Sequence, residues 1–236
     1  MRITYIGHST ILIQDENFNM LTDPFFTINL PFVKRKILPS MNIEDLPEID
    51  LIPISHTHPD HCDFDALGKI SKSASVVMPQ GTSSKVRKMG FQVNELGYWE
   101  STGRGKYKIT AVPAMHQGRC AGYILKGSKT IYFAGDTRFI DSMNEIGQKF
   151  DIDIAFLPIS GNRFFGLNMI MGPEEAALAA ESLKSKLVIP VHFGTLANIP
   201  PVFSTNGSPS DFINCIRDDR IRKTVKVLDA GESFEY

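Results

Sequence analysis

The densest group of metal-ligating side chains in this sequence is the run His56-Thr57-His58-Pro59-Asp60-His61, which holds three imidazoles and one carboxylate within six residues. Neutral imidazole and carboxylate are ligands that zinc and similar divalent ions accept, and no packing requirement explains such a run. The run follows the apolar stretch 51–54, so it lies in a loop after a predicted strand. Alternate residues there can point to a common centre, and the loop is expected to serve up to two metals.

Three further candidate ligands each follow the end of a predicted strand. His116 comes after 109–113, Asp136 after 131–134 and His192 after 187–191. Alone, either histidine would be an ordinary, partly buried side chain, and Asp136 a turn residue. Strand ends on one edge of a sheet converge on a crevice, so we predict that these side chains meet the run from His56 to His61 in space.

Four more residues are weaker candidates for a place at or near the site. His8 follows a glycine at a strand end, where it either bonds the backbone or lies near the site. Asp23 either caps the turn before a proline or accepts a hydrogen bond from a ligand imidazole, and we favour the second role. Arg119 and Arg163 are candidate phosphate contacts, although most arginines are simply solvated.

The elements that must position these residues follow a twice-repeated order of strands and then helix. Predicted strands span 2–6, 10–14, 18–21, 50–54, 75–78, 106–113, 122–126, 129–134, 152–157, 187–191 and 224–228. Predicted helices span 63–70, 82–89, 141–150, 173–184 and 208–217. The clearest helix has Pro173 at its first position and Glu174 and Glu175 against the positive end of its dipole. This order suggests an α/β fold with two packed sheets and helices outside.

Length and composition narrow the class of protein. The 236 residues suit a single domain, 1–236, and the net charge of -1 gives no general attraction to nucleic acid or to an anionic membrane, although a local basic patch remains open. No stretch approaches the roughly 18 apolar residues of a membrane span, and the amino terminus resembles a strand rather than an export signal. The three cysteines are widely spaced, which favours reduced thiols and a cytoplasmic location.

The segment 25–47 is predicted to be a long surface loop, broken by prolines. Its part 25–38 is apolar and carries a basic Lys34-Arg35-Lys36 tail. In order of expectation, this loop packs on the core, covers the site as a lid, forms a homo-oligomer contact or contacts lipid peripherally. The apolar segments 163–167 and 199–203 are candidates for the other walls of a substrate pocket.

The motifs resemble those of a known family. The run from His56 to His61 resembles the His-x-His-x-Asp-His signature of the metallo-β-lactamase superfamily, and 115–116, 135–137 and 191–195 resemble its later metal motifs in the same order. The phrases at 7–10, 21–24, 171–176 and 192–195 resemble one branch of it. That branch holds ascorbate-6-phosphate lactonase, the N-acyl phosphatidylethanolamine phospholipase D enzymes and many small metal-dependent hydrolases.

The resemblance implies a four-layer αββα sandwich and two divalent metal ions, with zinc favoured and manganese, iron or nickel as alternatives. It assigns His56, His58 and His116 to one metal, Asp60, His61 and His192 to the other, and Asp136 as a bridge between them. It further implies a hydroxide held between the metals, which Asp60 orients or whose proton Asp60 carries to the leaving group.

The function expected is hydrolysis of a small-molecule ester, lactone or phosphodiester. A phospholipase D-like activity on lipid phosphodiesters is an alternative, motivated by the apolar loop with its basic tail. A nucleic-acid processing role is disfavoured, since such relatives usually carry an added binding domain. A non-catalytic metal-binding or sensor protein is a further alternative, against which the complete ligand set argues.

Overall fold

The computed structural model describes residues 1–30 and 33–236, so Pro31 and Phe32 of the apolar loop 25–38 lie outside the described residues. Within the described ranges, no helix combines the length and the apolar character that a membrane span requires.

The strands, in chain order, are β1 (Arg2–Gly7), β2 (Thr10–Asp15), β3 (Phe18–Leu21), β4 (Asn29–Leu30), β5 (Val33–Lys34), β6 (Leu51–Pro53), β7 (Ser75–Pro79), β8 (Gln92–Leu96), β9 (Ser101–Arg104), β10 (Tyr107–Val112), β11 (Gly122–Lys126), β12 (Thr130–Phe133), β13 (Ile154–Pro158), β14 (Arg163–Phe164), β15 (Leu167–Asn168), β16 (Leu187–Val191), β17 (Phe203–Ser204) and β18 (Ser233–Glu235). The α-helices are α1 (Phe64–Lys69), α2 (Ser84–Lys88), α3 (Ser142–Lys149), α4 (Pro173–Leu183), α5 (Pro209–Cys215) and α6 (Asp219–Arg222), with a 3-10 turn at Ile43–Asp45.

Two large sheets form the centre of the molecule. In the described residues one sheet has the strand order β18-β1-β2-β3-β6-β7-β8 and the other has the order β16-β13-β12-β11-β10-β9. A small sheet of β15, β14 and β17 and the hairpin of β4 and β5 accompany them. The two large sheets share an apolar core that includes Ile3, Ile13, Tyr123 and Phe156.

Helices cover the outer faces of both sheets. One outer cluster joins Leu67 of α1 and Val86 of α2 to the first sheet, and another joins Ile146 of α3, Ala180 of α4 and Phe212 of α5 to the second. The arrangement is therefore the αββα sandwich expected from the order of elements and from the family resemblance. Asp63 caps α1, as its position before the helix suggests, by accepting hydrogen bonds from the backbone of Asp65 and Ala66.

The chain's last strand differs from the prediction. The prediction of a strand at 224–228 is wrong, because within this segment Val225 forms only a single bridge with Val188. The final strand is β18, whose Glu235 pairs with Arg2 of β1. The alternating apolar pattern of 224–228 favours a strand, but the chain leaves the edge of the second sheet there and crosses to the first. Two strands with polar sequences, β8 and β9, lack the alternation that would have revealed them.

Strand direction brings the candidate ligands to one edge. Strands β3, β6 and β7 run parallel, as do β12, β13 and β16. Parallel strands end at the same edge of a sheet, so the loop after β6 opens at one edge of the first sheet and the loops after β12 and β16 open at one edge of the second. The parallel half of each sheet thus places its strand ends where a site can form.

The opposite end of the sandwich is joined by a buried carboxylate. Asp15, at the end of β2, accepts hydrogen bonds from the hydroxyls of Tyr107 of β10 (2.6 Å) and of Ser128 in the turn between β11 and β12 (2.8 Å). It also lies 3.0 Å from the ammonium of Lys106. Burial alone would raise the pKa of Asp15, but these donors lower it. The ionised carboxylate therefore joins the first sheet to the second.

Replacing Asp15 with asparagine (D15N) should lower the free energy of unfolding at pH 7 by about 1–3 kcal/mol, because a buried network loses its ionised acceptor. The folded-state pKa of Asp15 lies below its unfolded-state value, so this stabilisation is present above about pH 4 and is lost as the pH falls through the folded-state pKa. Urea unfolding at pH 7 and pH 3 measures the difference. The control E16Q changes a carboxylate that also pairs with Lys106 but is 79% exposed, and an equal loss in both variants would contradict the role of Asp15.

Candidate metal centre

The loop after β6 folds back on itself so that its imidazoles gather. The backbone N–H groups of His61 and Cys62 both donate to the carbonyl of His58, at 3.0 and 2.8 Å, which closes a tight turn over Pro59 and Asp60. Asp63 then caps α1 and also accepts from the backbone N–H groups of Phe26 and Thr27. The loop is therefore held at both ends and is tied to the segment that follows β3.

One cluster of ring nitrogens joins this loop to the strand end after β10. Nδ1 of His58 lies 2.9 Å from Nε2 of His56 and 3.1 Å from Nε2 of His116. Two nitrogens bound to one zinc ion at about 2.0–2.1 Å in tetrahedral geometry lie about 3.3 Å apart. The three histidines therefore have a spacing close to that of ligands around one divalent ion.

A second cluster lies beside the first. Nε2 of His61 is 3.3 Å from Oδ2 of Asp136 and 3.8 Å from Oδ2 of Asp60, and Nε2 of His192 is 3.2 Å from Oδ1 of Asp136. Asp136 also approaches the first cluster, since its Oδ2 is 3.9 Å from Nε2 of His116. A single buried carboxylate thus contacts histidines of both clusters.

The far ring nitrogens of the candidate ligands have hydrogen-bond partners that orient the rings. Asp23 Oδ2 lies 2.6 Å from Nδ1 of His61, and Ser160 Oγ lies 2.9 Å from Nδ1 of His192. Nδ1 of His116 lies 3.0 Å from the carbonyl of Met169. Such partners fix the ring orientation and tautomer in metal sites.

Ser55 adds to this orienting layer. Its Oγ lies 3.0 Å from Nδ1 of His56, and both its backbone N–H and its hydroxyl donate to Asp23. Sequence reasoning had placed Asp23 in this role but missed Ser55 and Ser160. Ser55 is adjacent to His56 and Ser160 follows the end of β13, so the strand-end pattern that pointed to the ligands could also have found both serines.

The donor set fits a divalent cation. The carbonyl of Met169 can only accept, so His116 carries its proton on Nδ1 and turns a lone pair on Nε2 toward the cluster. Among the described residues, Nε2 of His61, Nε2 of His192 and Oδ1 of Asp136 are buried atoms whose short contacts lack hydrogen-bond geometry, so none of them has a hydrogen-bond partner. Buried polar atoms without partners are costly, and here they converge on one place, as ligands of a cation do.

The charges around His61 lead to the same conclusion. Burial by itself would lower the pKa of His61, but the carboxylates of Asp136, Asp60 and Asp23 raise it well above its ordinary value. Burial would likewise raise the pKa of Asp136, yet His192 and His61 hold it well below its ordinary value. The carboxylates of Asp136 and Asp60 therefore stay ionised and favour a positive charge beside Nε2 of His61, which a divalent ion would supply.

His8 lies at this centre as well. Its Nε2 is 3.2 Å from Oδ2 of Asp60, and its ring centroid is 3.7 Å from that of His192. Burial and the neighbouring His192 lower the pKa of His8 to about 3, so its ring is neutral at pH 7. Both histidines have left-handed backbones, with φ of 60° and 58°, and the N–H of His192 donates to the carbonyl of His8 at 2.8 Å. The strained backbone conformations of His8 and His192 therefore lie where the two sheets meet.

A cavity of about 170 Å³ opens onto the two clusters. Its lining residues are His58, Asp60, His116, Gln117, Asp136, Asn162, Phe164, Met169, Ile170 and Phe203. The two candidate phosphate contacts are not among these residues. Arg119 lines a separate cavity and donates to the carbonyl of Gln80, whereas Arg163 donates Nε to Asn168 on an exposed hairpin.

Replacing Asp23 with asparagine (D23N) should weaken metal binding about 10- to 100-fold, because the amide holds the His61 ring less firmly. Competition titration against a chromogenic chelator measures the affinity, and thermal unfolding of the metal-free protein reports any separate loss of stability. The control D65N changes an exposed carboxylate of α1 and should leave the affinity unchanged. An affinity of D23N equal to that of the wild type would mean that Asp23 does not orient a ligand.

Comparison with known proteins places this geometry in a family. The model of the Beta-lactamase superfamily domain matches residues 18–193. A UPF0173 metal-dependent hydrolase of Anoxybacillus flavithermus and the UPF0173 metal-dependent hydrolase YtkL of Bacillus subtilis are each 32% identical to this chain, with 100% of both chains covered. The solved structure of Igni18, a metallo hydrolase from Ignicoccus hospitalis, is 25% identical, covers 100% of this chain and 98% of its own, and superposes with a TM-score of 0.79.

These relatives agree with the fold, and their description as metal-dependent hydrolases agrees with the clusters of candidate metal ligands. The resemblance to the metallo-β-lactamase superfamily is thereby confirmed. The chain belongs to the β-lactamase superfamily, among the UPF0173 metal-dependent hydrolases, and is a metal-dependent hydrolase with the metallo-β-lactamase fold.

Proposed function

We propose that this hydrolase acts as a single domain, 1–236, and uses two divalent metal ions to cleave a small carbonyl ester or lactone. The observation that carries the proposal is the position of Asp136 between the two clusters of candidate ligands. His56, His58 and His116 would hold one ion, and His61, His192 and Asp60 would hold the other. Asp136 would contact both.

Zinc is the metal we propose, with manganese, iron or nickel as alternatives. The candidate ligands are imidazoles and carboxylates, which zinc accepts at catalytic sites. Cys62 lies inside the ligand loop but is fully buried, and burial raises the pKa of its thiol to about 12. A thiol that keeps its proton is a poor ligand, so the donor set contains nitrogen and oxygen alone.

Asp60 is the residue to which we assign proton handling. When bound, divalent ions supply Lewis acidity that polarises a carbonyl and lowers the pKa of water toward neutrality. Asp60 lines the cavity, and although burial would raise its pKa, His61 and the hydrogen bond from His8 lower it. Its ionised carboxylate can therefore orient the attacking water and carry a proton to the leaving group, while His8 holds it in place.

The lining of the cavity favours a carbonyl substrate over a phosphodiester. Among the described residues that line it there is no lysine or arginine, the side chains that commonly clamp phosphoryl oxygens. The polar groups beside the candidate ligands are the neutral amides of Gln117 and Asn162, and the other walls are apolar. A volume of about 170 Å³ suits the reacting end of a small molecule.

The phospholipase D-like alternative has less support. This alternative is suggested by the apolar loop 25–38 with its basic tail. In the structure, however, Phe25 is fully buried and Arg35 is only 4% exposed. The guanidinium of Arg35 donates to the carbonyls of Phe25 and Ile37 and lies 4.0 Å from the centroid of the Phe25 ring. Arg35 is thus committed to holding the loop on the core and is not free to bind a lipid headgroup.

Metal analysis after dialysis should find two equivalents of metal in the wild type and about one in each of the variants H116A and H192A. Treatment with a chelator should abolish hydrolysis of p-nitrophenyl esters and of lactones, and added zinc should restore it. The control D141N alters an exposed carboxylate and should keep both metal content and activity. One equivalent in the wild type, or faster turnover of bis(p-nitrophenyl) phosphate than of any ester or lactone, would overturn the proposal.

The variant D60N should lose about 10²- to 10⁴-fold in kcat, because an amide cannot take the proton that the carboxylate carries. Steady-state kinetics at saturating zinc, with the metal content measured in parallel, separates this loss from loss of metal. Full activity in a zinc-loaded D60N enzyme would exclude Asp60 as the proton carrier.

A further inference from the structure

A strained aromatic residue stands at the tip of a short hairpin beside the cavity. Strands β14 and β15 pair antiparallel across Phe165 and Gly166, whose φ values are 46° and 81°. Positive φ at both central positions is the pattern of a type I′ turn, which prefers Asn or Asp before Gly. A bulky side chain with positive φ is a backbone outlier, so Phe165 is an unfavourable residue for its own turn.

Packing does not compensate for this strain. Phe165 is 64% exposed, and its neighbours on the hairpin, Phe164 and Leu167, are 46% and 71% exposed. The rings of Phe164 and Phe165 meet edge to face with centroids 4.8 Å apart. Exposed apolar side chains grouped in this way mark binding surfaces rather than core.

The hairpin is also built into the wall of the metal centre. Phe164 lines the cavity together with Asp60, His116 and Asp136. At the base of the hairpin, the carbonyl of Met169 lies 3.0 Å from Nδ1 of His116, and the backbone N–H of Met169 donates to the carbonyl of Asn162. An apolar surface therefore extends from the candidate ligands to the tip at Phe165.

The hairpin is braced on its other side. Phe164 pairs with Phe203 of β17, and the backbone N–H of Phe165 donates to the carbonyl of Val202 at 2.9 Å. Arg163 donates Nε to Oδ1 of Asn168 across the hairpin at 2.8 Å. These contacts hold the tip at a set distance from the cavity, as a binding subsite requires.

We propose that this hairpin binds an apolar chain carried by the substrate, so that the enzyme acts on neutral esters or lactones with an aliphatic tail of several carbons. The proposal rests on the function proposed above. The carbonyl of the substrate lies in the cavity, and its tail passes Phe164 and contacts Phe165 and Leu167. Phe165 is then a specificity-determining residue, and its contact with the tail is the purpose of the strained turn.

The variant F165N separates this role from folding, because Asn before Gly suits a type I′ turn better than Phe does. Its melting temperature should equal or exceed that of the wild type. The control L178N removes an apolar side chain that is 45% exposed on α4. A substrate subsite predicts a change of chain-length preference in F165N alone.

The kinetic test compares p-nitrophenyl acetate, butyrate, hexanoate and octanoate. In the wild type and in L178N, kcat/KM should rise about two- to fourfold for each methylene that contacts the hairpin. In F165N the ratio of octanoate to acetate should fall about tenfold. The same octanoate-to-acetate ratio in F165N and the wild type would overturn the proposal.

A binding test needs no turnover. Calorimetric titration with 2-nonanone and 2-pentanone, neutral carbonyl compounds without a leaving group, should show tighter binding of the longer ketone to the wild type and loss of that preference in F165N. If no ester or lactone were hydrolysed, the proposed function would fail while this titration still tested the hairpin. A different result would show the proposal to be wrong: the wild type but not F165N sediments with phosphatidylcholine vesicles, and both proteins have the same preference for 2-nonanone over 2-pentanone. The hairpin would then be a lipid contact.

Discussion

The pairing of His61 with carboxylates on both of its nitrogens is the interaction on which the site depends. Asp23 lies 2.6 Å from Nδ1, Asp136 lies 3.3 Å from Nε2, and all three side chains are buried. Buried negative charges are costly unless a positive charge compensates them. A divalent ion held on the Nε2 side of His61, beside Asp136, would supply this positive charge, in agreement with a metal-dependent hydrolase.

The two sheets must be held in a fixed relation for this pairing to exist. Asp23 follows a strand of the first sheet and Asp136 follows a strand of the second, so a small shift between the sheets would separate them. The carbonyl of His8 accepts the N–H of His192 at one end of the sandwich, and Asp15 accepts the hydroxyl of Tyr107 at the other. Polar contacts across an apolar interface thus set the register of the halves, since apolar packing alone is not directional.

In the function that we propose, chemistry and substrate selectivity are separated in space. The charged residues lie at the strand ends, where long-range packing holds them rigidly, and the apolar side chains of the hairpin at 163–168 form the rim. Such a division suits a fold that keeps one reaction and changes substrates through its loops. Because the motifs lie at the strand ends and the substrate would contact the loops, the motifs indicate hydrolysis more directly than they indicate the substrate.

The sequence by itself determined the type of site and most of the elements. The spacing of His56, His58 and His61, and the placing of His116, Asp136 and His192 after apolar strands, are local patterns that ligand chemistry and strand periodicity explain. Pro173 and the acidic first turn predict a helix at 173–184 equally clearly, and the structure has it at Pro173–Leu183. Such features depend on neighbours in the chain, so they can be inferred from it.

Only the tertiary structure decided which partners those residues have. The contacts of Ser160 with His192 and of Met169 with His116 join distant segments, and no local pattern encodes them. The same is true of the burial of Arg35 against Phe25, of the absence of Arg119 and Arg163 from the cavity lining, and of the final strand, whose Glu235 pairs with Arg2. Each depends on the packing of segments far apart in sequence, where the free energy of the whole fold outweighs local preference.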